Sequence, residues 1–295
     1  MSGLFEALIA PTSVEAFLRD HWDRRALFAK ADAATRDARL AALGLSPATL
    51  RAVAARAPAG SVWASYNDER GRPVSTIIDG AAVDYYRHAR QTIFVRNLQA
   101  LHAPTQLFVA AIQSAIGYPA KVDAVSFWSP PSTGFGFHFD CKNALTLQLA
   151  GKKRWRHQRA AAITAPPVEP FRQAHPWAQM APLDENELVE SVLEPGDVLF
   201  LPAGTWHSVA AADDEESLSI AIGFVPRPMH QLVTGWLDDQ LKKLDPWRRT
   251  PLLHAPAPLD AAAGLASLRS LVAELTEERL HALAGARDAM PPTGE

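Results

Sequence analysis

The chain has one cysteine, Cys141, in 295 residues. No internal disulfide can form, and nothing in the sequence points to an oxidising compartment. No apolar run approaches the length that spans a bilayer, and the N-terminus lacks a basic stretch followed by an apolar one. The expectation is therefore a cytoplasmic protein with no membrane partner. Charge is nearly balanced: 29 Lys and Arg against 32 Asp and Glu give a net charge of −3. That argues against direct nucleic-acid binding, which calls for a basic surplus. No internal repeat is evident. What remains is an ordinary globular composition, 48% hydrophobic and 21% charged, long enough to bury a sizeable core.

The informative stretch runs from Gly134 to Gln158, GFGFHFDCKNALTLQLAGKKRWRHQ. On a strand, residues i and i+2 share a face, so His138 and Asp140 can converge on one ion. A second histidine, His207, lies in EPGDVLFLPAGTWHSV. There Val198–Leu201 reads as a strand, Pro202-Ala203-Gly204 as a tight turn, and His207 as the opening of the returning strand. Two histidines and one carboxylate with further positions open suit a non-heme Fe(II) oxygenase. Cys141 falls on the opposite parity from His138 and Asp140, which argues against it as a third ligand beside them. A lone cysteine is more often a small buried hydrophobe.

With these motifs the chain resembles the cupin-type, JmjC-domain Fe(II)/2-oxoglutarate oxygenases, and within them the bacterial and nucleolar ribosomal oxygenases. The resemblance covers roughly residues 62–228. It rests on the HxD pair, on His207, and on a strand of the form LQL-x-G-x-K-x-W, carried here by Leu147, Gln148, Leu149, Gly151, Lys153 and Trp155. It implies a mainly β fold, a double-stranded β-helix of the cupin or jelly-roll kind with flanking N- and C-terminal helices. The metal ligands and catalytic centre would be His138, Asp140 and His207. Lys153, fifteen positions after His138, would bind the distal carboxylate of 2-oxoglutarate. Fe(II) and 2-oxoglutarate would be the cofactor and cosubstrate, O2 the oxidant, and a protein or peptide side chain the group hydroxylated, with a ribosomal protein favoured. Two other classes stay open at this point: a metal cupin that needs no 2-oxoglutarate, and a metal-free cupin acting as a binding module. A small metabolite or a biosynthetic peptide is the alternative substrate.

Three regions are expected: an N-terminal helical segment, 1–60; a barrel, 61–228; and a C-terminal helical region, 229–295. Ser13 and Ser46-Pro47 read as helix starts. SVWASYN, VSTIID and TIFVRNL read as strands. A helix from Pro104 to Ile116 would bury Leu107, Ala111, Ile112 and Ala115. Residues 158–190 form a Pro-rich insertion, in which His175 and Trp177 could touch substrate but a plain surface loop is the blander account. Arg96 and Asn97 read as a solvated strand end. Lys153, Trp155 and His157 share one face of their strand, and Lys152, Arg154 and Arg156 the other. The mouth of the barrel is expected to carry Trp128, Phe135, Phe137 and Trp177. The strand SLSIAIGF puts Ser219 and Ala221 where the ribosomal oxygenases tend to carry Asn and Ser. From Leu259 onward an apolar stripe, Leu265, Leu268, Leu271, Val272, Leu275, Leu280 and Leu283, suggests a homodimer.

Overall fold

The computed structural model describes residues 3–69, 73–167, 181–212, 214–250 and 261–285. The first segment carries helices α1 (Leu4–Ile9), α2 (Val14–Asp20), α3 (Ala33–Leu43) and α4 (Pro47–Ala54). Their starts follow capping chemistry: Ser13, Asp32 and Ser46 accept from the backbone N–H groups of Ala16, Thr35 and Thr49 at 3.1, 2.8 and 3.1 Å. The region is not helical throughout, because strand β1 (Leu27–Ala29) interrupts it. Buried Arg39 fastens this segment down. Its guanidinium donates to the carbonyls of Ala7, Ala29 and Gly196 at 2.8, 3.1 and 2.8 Å.

The next elements are β2 (Val62–Asn67), β3 (Pro73–Ile77), α5 (Val83–His88), β4 (Thr92–Val95) and α6 (Ala103–Ile116). They are followed by β5 (Val122–Ser129), β6 (Gly134–His138), β7 (Asn143–Ala150), β8 (Lys153–Gln158), β9 (Leu188–Leu193), β10 (Val198–Leu201), β11 (His207–Ala211) and β12 (Ser217–Phe224). All ladders are antiparallel. One sheet has the order β1-β10-β7-β12-β5-β4-β2-β3 and the other β6-β11-β8-β9. This is the expected double-stranded β-helix with helices around it. Strand β9 begins at Leu188, inside the stretch 158–190 expected to be an irregular insertion.

Alternation on the strands divides the core in two. Leu145 and Leu147 on β7 and Ile220 and Ile222 on β12 join the helical residues Phe5, Leu8, Phe17, Phe108 and Ile112 in the larger cluster. The second cluster holds Leu199 and Leu201 of β10 with Trp155, Leu193 and Val209. One face of α6 is misplaced by the sequence reading: the helix buries Thr105, Phe108, Val109 and Ile112, while Leu107 is 53% exposed. The helix is apolar nearly all round, so its period selects no single stripe.

The chain separates into two compact units, Met1–Pro226 and Arg227–Glu295. The second contains α7 (Met229–Leu241), α8 (Asp245–Arg248), α9 (Ala261–Ala273) and α10 (Glu277–Gly285). The apolar stripe does not run along one helix: Leu265, Leu268, Leu271 and Val272 lie on α9, Leu275 in the connection, and Leu280 and Leu283 on α10, while Leu259 lies outside the described residues. Leu265 and Val272 are about half exposed. Among the described residues no helix is long and apolar enough to cross a membrane.

Candidate metal and cosubstrate site

Three ligand-bearing side chains come together inside the smaller unit of sheet. His138 is the last residue of β6, His207 the first of β11, and the two are register partners. Their rings lie 4.2 Å apart between centroids. Asp140 follows from the segment after β6, not from the strand as expected. Its backbone carbonyl accepts from Gly204 N–H at 2.9 Å, which ties it to the turn that delivers His207. Asp140 Oδ2 is 4.0 Å from His207 Nε2. One ligand atom from each of the three lies within 4.8 Å of the others, the only such cluster of His, Cys, Asp or Glu among the described residues. Cys141 is outside it.

The turn before His207 is held from both sides. Asn143 Oδ1 accepts from Ala203 N–H at 2.8 Å, while Asn143 Nδ2 donates to Asp23 Oδ1 at 2.7 Å. Gly204 adopts φ +80°, and a Cβ there would sit 1.8 Å from the carbonyl oxygen of Ile163. Only glycine fits.

Both histidines have the electronic form a metal needs. His138 Nδ1 is 2.8 Å from the Gly136 carbonyl, and His207 Nδ1 is 2.9 Å from the Thr205 carbonyl. A carbonyl can only accept, so each Nδ1 carries the proton and each Nε2 the lone pair. Burial pushes His138 down to about 4. Burial, and then the neighbouring His138, push His207 down to about 3. Both rings are neutral at neutral pH. Two neutral imidazoles and a carboxylate around a shared space fit a divalent transition metal.

Lys153 lies on the inward side of β8 and is 3% exposed. Its Nζ donates to Ser219 Oγ at 2.9 Å and sits 5.6 Å over the Phe127 ring. Among the described residues no carboxylate pairs with it, and burial lowers its pKa to about 7. His157, two positions on from Trp155, is occupied by Ser191 Oγ at 3.0 Å and the Gln158 carbonyl at 2.9 Å.

The expected mouth is revised. Phe135 does face inward, 6.4 Å from the His138 ring. Trp128 faces the helical core instead, 2% exposed, and Phe127 takes the inward position on β5. Phe137 turns to the outer face, where the Arg156 guanidinium covers its ring at 5.3 Å. His175 and Trp177 lie outside the described residues. Arg96 stacks on Trp63 at 5.5 Å, away from the metal cluster. Two contributors were not singled out as such in the sequence. Ser219 was noted only as a departure from the family pattern, and Asn143 was not noted at all.

Comparison with known proteins agrees with this geometry. The JmjC domain family matches residues 100–232. The chain is 30% identical to ribosomal oxygenase 1 of Gallus gallus over 251 residues, 82% of this chain and 39% of that protein. It is 24% identical to the ribosomal protein uL16 3-hydroxylase of Escherichia coli over 231 residues, 77% of this chain and 56% of that one. The chain thus spans well under two thirds of these curated relatives. Among solved structures, YcfD, a ribosomal oxygenase from Escherichia coli in complex with cobalt and 2-oxoglutarate, superposes with a TM-score of 0.60 at 21% identity, covering 92% of this chain and 68% of that one.

Proposed function

The chain is a JmjC-domain protein related to the ribosomal oxygenases, and on that premise we propose that it is an Fe(II)- and 2-oxoglutarate-dependent hydroxylase of a protein or peptide side chain. One observation carries the reading. A cluster of two neutral histidines and one carboxylate shares its barrel with a buried lysine that has no anion of its own among the described residues. A buried ammonium is costly unless paired, and a dicarboxylate that also reaches the metal supplies the missing charge. A metal cupin without cosubstrate, or a binding module, gives Lys153 no such partner.

When bound, iron and 2-oxoglutarate supply the activation of dioxygen and the oxidation of a C–H bond, with succinate and carbon dioxide released. The chain's residues hold and orient. His138, Asp140 and His207 would grip the ion, with the Gly136 and Thr205 carbonyls fixing the imidazole tautomers. Lys153, steadied by Ser219, would take the distal carboxylate. The apolar wall of Leu199, Leu201 and Val209 keeps water from the interior.

A protein substrate is supported by the relatives, one of which is named for hydroxylating ribosomal protein uL16. A ribosomal protein is our first choice, a biosynthetic peptide the second. The reading includes a cytoplasmic location and a homodimer through residues 229–295, supported by the half-exposed Leu265 and Val272. A chain ending at Pro258 should sediment as a monomer where the full chain is a dimer; a monomeric full chain at micromolar concentration ends that part of the reading. For the activity, the protein is incubated with Fe(II), 2-oxoglutarate and lysate from a strain lacking the gene. Succinate release and peptides heavier by one oxygen atom are expected. No consumption of 2-oxoglutarate overturns the reading. Consumption stimulated by a small-molecule fraction, with no modified peptide, overturns the polypeptide substrate.

A further inference from the structure

Strand β8 sends Lys153, Trp155 and His157 to the barrel interior, and two of the three have polar partners there. The third does not. Trp155 is 8% exposed, and its indole Nε1 is fully buried with no hydrogen-bond partner. Four other tryptophans of the chain behave differently. Trp63 donates to the Gly60 carbonyl, Trp128 to Glu216, Trp206 to the Ala181 carbonyl and Trp247 to Ser267, at 2.8, 3.0, 2.7 and 3.1 Å. A buried donor left unpaired is destabilising, and a phenylalanine would fill the same wall without that cost.

The place of Trp155 says what could satisfy it. Its ring packs in the apolar cluster of Leu193, Leu199, Leu201 and Val209, whose side chains offer no acceptor. It also lies 5.5 Å from the His207 ring, tilted by 36°. Along β8 it stands opposite Val209, between Lys153 opposite Ala211 and His157 opposite the metal-cluster residue His207. Trp155 is therefore midway between the lysine that would hold one end of a dicarboxylate and the cluster that would hold the other.

We propose that Trp155 is a cosubstrate-binding residue whose indole N–H donates to an oxygen of the bound dicarboxylate. This rests on the 2-oxoglutarate reading of the preceding section. It assigns a second donor to that ligand beside Lys153, one that is neutral at every pH.

The test uses the full chain loaded with Zn(II), which binds without turnover, and 2-oxoglutarate as the probe. Trp155→Phe keeps the ring and removes the donor. By calorimetry it should weaken 2-oxoglutarate binding roughly tenfold, as expected for a hydrogen bond to a charged acceptor, and leave Zn(II) affinity unchanged. In the wild type, the one indole N–H resonance missing from the variant should move downfield and exchange more slowly with solvent on titration. A merely structural tryptophan would show neither change. Should Trp155→Phe fail to fold, the same resonance is assigned in the wild type by its proximity to the His207 ring, and its response decides. Calorimetric binding with an unmoved resonance, or a folded variant that binds as tightly as wild type, overturns the assignment of Trp155 and leaves the 2-oxoglutarate reading standing. A wild-type protein that takes up no 2-oxoglutarate overturns both.

Discussion

Lys152 and Lys153 are neighbours in sequence, and the pleat at the start of β8 sends them to opposite sides of the smaller sheet. Lys152 faces solvent and pairs with Glu194 at 3.1 Å, and that hydrogen bond and charge raise its pKa. Arg154 and Arg156, on the same outer side, meet Glu190 at 3.5 Å and the Phe137 ring at 5.3 Å. Lys153, on the inner side, has a serine hydroxyl and an aromatic face but no carboxylate among the described residues. The chain supplies partners to its outer cations and withholds an anion from its inner one. The location of the missing charge, more than the presence of a lysine, is what the proposed cosubstrate reading rests on.

The contrast breaks most completely if the inner side loses its metal ligands. His138→Ala, Asp140→Ala and His207→Ala should each abolish turnover. Each should also weaken Mn(II) binding by more than the roughly 10–100-fold typical of removing an outer-shell partner, with the far-UV circular dichroism unchanged. Unaltered Mn(II) affinity in all three would remove the cluster from consideration.

A smaller effect separates the two lysines themselves. Lys153→Met should raise the 2-oxoglutarate requirement by the equivalent of about 1.5–3 kcal/mol, the worth of a charge-assisted contact, with Mn(II) binding intact. Lys152→Met should leave both constants where they were. Equal effects from the two substitutions would erase the distinction between the faces.

The pH dependence of stability sharpens it further. The folded pKa of Lys153, about 7, lies below that of an unfolded lysine, about 10.4. Between those values the unfolded chain holds a proton the folded chain has released, so the group's contribution favours folding increasingly as pH rises. The slope is at most about 1.4 kcal/mol per pH unit, and the contribution is lost as pH falls toward 7. Ligand-free wild type should therefore gain more stability than Lys153→Met between neutral and mildly alkaline pH, as read by denaturant unfolding. Parallel curves would mean that Lys153 keeps its proton.

The smallest effect belongs to the outer side. Lys152→Ala should not move the unfolding midpoint measurably, because an exposed ion pair is screened and entropically costly. A clear loss that disappears in high salt would show the outer pairs to be stronger than their exposure allows.

How much of this could be read beforehand depended on the range of the interaction. His138, Asp140 and His207 were legible because two sit one residue apart and the third follows a strand and turn written in Gly and Pro. The inward set on β8 was legible because its outward neighbours are all cationic. Phe127 and Trp128 were not separable in this way. β5 lies between the helical core and the barrel interior, so both of its faces are apolar and parity alone cannot say which is which. Phe137 was misassigned because the β6–β11 register shifts between His207 and Val209. That irregularity turns Phe135 and His138 to the same side although they are three residues apart. The bond from Lys153 to Ser219 joins two strands far apart in the chain, and no local pattern announces it.

The three residues of β1 have a consequence for how the molecule is made. Leu27 pairs with Phe200 at the margin of the larger sheet, and the ladders that wall the metal cluster join β6 to β11, β7 to β10 and β5 to β12. During synthesis Leu27–Ala29 emerges early, but the strand it covers is among the last of the barrel to appear. A topology of such high contact order closes slowly, and its apolar strand edges stay open meanwhile. Once closed, β1 is what stands between the backbone of β10 and any other strand seeking a partner. Removing the chain up to Ala29 would take away this cover together with Asp23, which holds Asn143, and would turn a sealed margin into a template for self-association.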